Sequence, residues 1–72
     1  MEMFFIKVTD ALTDKEMLIR GDLIFKIEEK ERMGAKGLMK MRHIQFVDGA
    51  SEYVTDTMDD LIETLVGGDD GR

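Results

Sequence analysis

The chain is expected to fold as a mainly β domain with one C-terminal α-helix, a small bent five-stranded antiparallel sheet or barrel (α+β). Three observations lead there. Short runs rich in β-branched, aromatic and other apolar residues recur at residues 3–9, 23–27 and 38–47, punctuated by Gly and Asp. Asp48-Gly49 stands between two such runs, as in a tight hairpin turn. Met58, Leu61, Ile62, Leu65 and Val66 then fall at i, i+3, i+4, i+7 and i+8, which puts one apolar stripe on a helix.

Each element has its own reason. Residues 3–9 alternate imperfectly, as a strand with both faces partly covered does. Residues 10–14 are polar and turn-like, and residues 15–20, with Met17, Leu18 and Ile19, return as the second strand of a hairpin. Gly21-Asp22 breaks that strand. Leu23, Phe25 and Ile27 alternate with Ile24, Lys26 and Glu28 as a third strand with a clear inner face. Residues 28–37 begin like a helix, but Gly34 and Gly37 would cut it short, so a long charged hairpin or a mobile loop is expected.

Residues 38–47 are the fourth strand. Met39 and Met41 fall on one face and Ile44 and Phe46 on the other, which a bulge near Arg42-His43 would reconcile. Residues 50–54 return as the fifth strand. Thr57 is a fair N-cap for a helix over 57–66, with Asp60 in the capping-box position. Asp56, Asp59 and Asp60 sit by the helix's positive end, worth a few tenths of a kcal/mol each. Gly67-Gly68 ends the helix, and residues 67–72 are expected to be a disordered tail behind a single domain over 1–66. At about ten residues such a helix does not hold alone in water. It needs a sheet beneath it.

The totals narrow the class. Seventy-two residues make one domain, and a chain this small buries only roughly 60% of its unfolded surface, so it is marginal unless something staples it. No cysteine is present, which excludes disulfides and thiolate metal sites, and one histidine is too few for a closed zinc site. Self-association is the remaining staple, and a homo-oligomer is expected. No apolar run approaches the roughly 18 residues of a membrane span. Met1-Glu2-Met3-Phe4-Phe5-Ile6 lacks the basic flank and cleavage region of a signal peptide, so a cytoplasmic, non-membrane protein is expected.

Net charge is −6, which argues against a nucleic acid polymer as partner, because that affinity comes from neutralising phosphates. The charge is unevenly laid out. Residues 30–47 carry five bases against one acid, whereas residues 48–72 carry eight acids against one base. The positive charge is concentrated in one place.

With these residues in view, a family resemblance emerges. Gly21-Asp22-Leu23-Ile24-Phe25-Lys26-Ile27-Glu28-Glu29 resembles the "DLI…IE" strand of the FlbD-like proteins, a small flagellar and swarming-motility group. Phe46-Val47-Asp48-Gly49, then Glu52-Tyr53-Val54, then Thr57-Met58-Asp59-Asp60-Leu61-Ile62 resemble that family's strand, turn, short Tyr-Val strand and acidic helix. The likeness covers most of residues 4–66. It departs at residues 30–40, where family members usually have a short connection. The resemblance implies a small β module with one C-terminal helix and brings no catalytic residues with it. Similar short sequences occur in phages, so it implies a flagellar or a phage setting.

No catalytic constellation is visible: no serine nucleophile motif, no phosphate loop around Gly34-Ala35-Lys36-Gly37, and acidic pairs that read as helix cap and tail. No metal or cofactor is expected. The candidate ligand-binding residues are Lys36, Lys40, Arg42, His43 and Tyr53. Bases close to His43 would form a patch able to hold a carboxylate or phosphate, and Tyr53 offers a ring for a base to stack on. The same bases also suit the acidic C-terminal third of a neighbouring copy. The candidate interface residues are Met39, Met41, Met58, Leu61 and Leu65. Among seven methionines, most serve as core filler and some as an adaptable contact surface. The expected function is therefore a non-enzymatic module that self-assembles and binds a host or phage protein partner. The alternative is a phage-type binder that sequesters a small, nucleotide-like anionic signal through the basic segment 30–43.

Overall fold

In the computed structural model, which describes residues 3–67, the elements run β1 (Phe5–Thr9), β2 (Glu16–Arg20), a 3₁₀ turn (Gly21–Leu23), β3 (Ile24–Gly34), β4 (Gly37–Phe46), β5 (Ser51–Val54) and α1 (Met58–Ile62). A π-helical turn, Glu63–Gly67, continues α1. The expected mainly β chain with one C-terminal helix is present. Its strands form two antiparallel sheets, β1-β2 and β3-β4-β5, rather than one sheet or a closed barrel. The sheets touch through backbone bonds from Ala11 N to Tyr53 O at 2.8 Å and from Thr55 N to Thr9 O at 3.0 Å. Closure stops there because β1 ends at Thr9, leaving the isolated bridge Asp10↔Val54 beyond it.

β1 and β2 pair in one register, Ile6↔Ile19 and Val8↔Met17. Opposite residues of an antiparallel pair share a face. Ile6, Val8 and Ile19 accordingly point inward and are buried, while Phe5 and Leu18 point out. The connection is held by Asp10, whose carboxylate accepts from Leu12 N at 3.0 Å and Thr13 Oγ1 at 3.1 Å. At the far end Gly21 lets the Phe4 ring lie close against the backbone. A Cβ there would stand 2.3 Å from the Phe4 ring.

β3 is the longest strand, and its pairing with β4 continues to Gly34↔Gly37, so residues 28–37 form a hairpin and not a loop. Ala35-Lys36 turn it, with Gly37 at φ +115, a value L side chains rarely adopt. The register shift expected near Arg42-His43 lies instead on β3, between Ile24 and Lys26. β4 itself is unbroken because both its faces are covered: Ile44 lies in the main core, and Met41, at 3% exposure, is buried on the opposite side. β5 pairs with β4 only over Arg42–Gln45, so beyond it β3 and β4 project as a two-stranded arm.

The β4–β5 loop is four residues, Val47-Asp48-Gly49-Ala50. Gly49 sits at φ +97, and Asp48 Oδ1 accepts from Ala50 N at 3.0 Å. Thr57 caps α1 as expected, its Oγ1 accepting from Asp60 N at 3.1 Å. Leu61, at 2% exposure, seals a core of Ile6, Val8, Ile19, Ile44 and Val54, with Met17, Ile24, Ile27, Phe46 and Leu65 packed around it. Of the apolar stripe read from the sequence, Ile62 and Val66 are left out, 52% and 70% exposed, because the core beneath meets only the Leu61–Leu65 ridge. The tail expected over 67–72 lies outside the described residues from 68 onward, and Gly67 belongs to the π turn. No helix among the described residues is long and apolar enough to cross a membrane.

Candidate functional site

Alternation along β4 sorts its side chains onto two surfaces. Lys40, Arg42 and Ile44 face the core side, opposite Glu31, Glu29 and Ile27 of β3. Met39, Met41 and His43 face the other way, opposite Arg32, Lys30 and Glu28, with Tyr53 of β5 opposite His43.

Arg42 is a structural clamp. Its side chain is 8% exposed, and its Nε donates to Asp56 O at 2.9 Å, tying β4 to the start of α1. Asp56 Oδ1 in turn accepts from Thr9 N at 2.7 Å, so β1, β4 and the helix meet at this residue. The Arg42 NH1 is buried without a hydrogen bond, and its nearest acid oxygen, Glu29 Oε1, is 3.6 Å away, beyond hydrogen-bond reach.

The opposite surface is the one open to a ligand or partner. His43 and Tyr53 stack with centroids 4.4 Å apart and planes at 18°. Next to them is an open concavity of about 330 Å³ lined by Leu12, Lys30, Glu31, Arg32, Met41 and Tyr53. Glu28 holds Lys26 at 3.6 Å and Lys30 at 3.7 Å. Arg32 makes no ion pair among the described residues. The wall therefore carries two bases, Lys30 and Arg32, and one acid, Glu31, with apolar Leu12 and Met41 and the Tyr53 ring beside them. Such a surface suits an acidic amphipathic segment or a small planar anion.

The five ligand candidates thus do not converge. His43 and Tyr53 come together, Lys40 and Arg42 lie on the reverse face, and Lys36 sits in the arm's turn. Of the interface candidates, Met39 is exposed, Met58 and Leu65 are half-buried, and Met41 and Leu61 are buried within the single chain. Leu12 was not singled out from the sequence, and Lys30 and Arg32 were read only as part of the basic segment 30–43. Their signal was present, since Lys30, Arg32, Met39, Met41 and His43 share a face once β3 and β4 pair in this register. Among the described residues no three His, Asp or Glu side chains are grouped as metal ligands. Comparison with protein-family models, curated proteins and solved structures finds no match to this chain.

Proposed function

We propose that the chain is a non-enzymatic interaction module that associates with copies of itself and, so assembled, engages a protein partner. The observation that carries this reading is the balance of apolar residues. Seven hydrophobic side chains are buried while thirteen large ones stay exposed among the described residues, so nearly twice as many are left to solvent as are enclosed. Five of the thirteen lie on the arm (Met33, Leu38, Met39) and on the flank of the helix (Ile62, Val66). The resemblance to FlbD-like proteins supports a small β module of this kind. Size-exclusion chromatography with light scattering tests the reading. An oligomer that weakens as salt rises supports it, and a single-chain mass at every salt and concentration removes it.

A second reading draws on the concavity beside the stacked His43–Tyr53 pair, where Lys30 and Arg32 could hold a small nucleotide-like anion whose base stacks on the ring. Thermal shift with a panel of nucleotides separates the two. Stabilisation by a nucleotide that is lost in Tyr53→Ala favours the small-ligand reading, and no stabilisation leaves the protein-contact reading.

A further inference from the structure

We infer that the C-terminal helix of one copy docks on the outward face of the β3–β4 arm of another, filling the concavity between Leu12, Met41 and Tyr53. This rests on the self-association proposed above and specifies its contact. The two surfaces match in both respects that matter. The arm offers exposed Met39 and Leu12 around the buried Met41, beside the bases Lys30 and Arg32 and one acid, Glu31. The helix offers an exposed apolar pair, Ile62 and Val66, beside exposed Asp59, Asp60 and Glu63, and no base lies in α1 or the π turn. An apolar ridge thus meets an apolar trough while acids meet bases around it, the arrangement of a buried centre with a charged rim.

The other way to join copies is disfavoured by the same charges. β3 has one unpaired long edge, and a two-fold antiparallel pairing sets the residue on the axis opposite itself. Centred on Glu29, Lys30 or Glu31, such a pairing puts like charges face to face, which destabilises a sheet edge. A helix seated on the arm brings opposite charges together. Because arm and helix are different patches, each copy carries one donor and one acceptor surface. The contact closes as a reciprocal pair or ring, or continues as a chain.

The test is a charge reversal in two halves. Arg32 and Glu63 are both exposed, so Arg32→Glu and Glu63→Arg leave the core untouched, which circular dichroism verifies. Each variant alone sets like charges across the contact and is expected to self-associate roughly tenfold more weakly than the wild type. An equimolar mixture restores association, because Glu at position 32 of one chain then meets Arg at position 63 of the other. If the wild type associates and both variants associate equally well, the docking is wrong while self-association stands. Weakened variants that the mixture does not rescue also overturn it. A wild type that never associates removes both proposals.

Discussion

Replacing Arg42 separates a clamp from a ligand-binding side chain. In Arg42→Ala the Nε bond to Asp56 O at 2.9 Å is lost, a charged hydrogen bond worth about 1.5–3 kcal/mol. Two buried methylenes go with it, about 1.5 kcal/mol more. The Glu29 contact at 3.6 Å adds about 0–1 kcal/mol, since that carboxylate is 58% exposed. Against these stands relief of the orphaned NH1, whose burial without a partner costs about 1–3 kcal/mol. The net expectation is a loss of about 2–3 kcal/mol, a large part of what a small domain has. Arg42→Met keeps the volume and removes the buried charge, so its loss is expected to stay below about 1 kcal/mol. Urea unfolding followed by circular dichroism measures both. A neutral Arg42→Ala refutes the clamp, and an Arg42→Met as damaging as the alanine contradicts the share assigned to packing and to relief of the orphaned NH1.

Leu61→Ala is expected to cost about 2–5 kcal/mol, because it empties the centre of the core that the helix seals; a thermal melt within a degree of the wild type contradicts that. The carboxyl of Asp22 is held well below the ordinary carboxylate range, first by its hydrogen bonds from Arg20 and then by the Phe4 backbone N–H. A depressed folded-state pKa contributes stability above the unfolded value of about 3.9 and loses it as pH falls towards the folded value. The stability gap between the wild type and Asp22→Asn should therefore hold from pH 5 to 8 and shrink below about pH 4. Melts across that range check it, and a gap that widens in acid contradicts the sign.

The parts legible in the sequence were those with local causes. Thr57 as a cap, the Asp48-Gly49 turn and the break at Gly21 each follow from chemistry within four residues. The long β3–β4 hairpin stayed ambiguous because its charges suit a helix as well as a strand, and only Gly34 facing Gly37 decides between them. The misplaced bulge came from assuming that β4 has one buried face. Met41 and Ile44 are both buried, on opposite sides, so no irregularity is needed. The candidate site was half legible. Neighbours in a strand point to opposite faces, which already separates Arg42 from His43. The neighbours of His43, Tyr53 opposite it and Lys30 two pairs further along, depend on strand registers that the sequence does not print. Nor does the apolar stripe of the helix reveal how much of itself the core will cover.

A dilution series of methyl NMR spectra bears most directly on whether this chain completes itself with its own copies. Signals of Ile62, Val66 and Met39 should move with concentration, while those of Ile44 and Leu61, already enclosed in one chain, stay fixed. Spectra identical from micromolar to millimolar concentration would contradict the account.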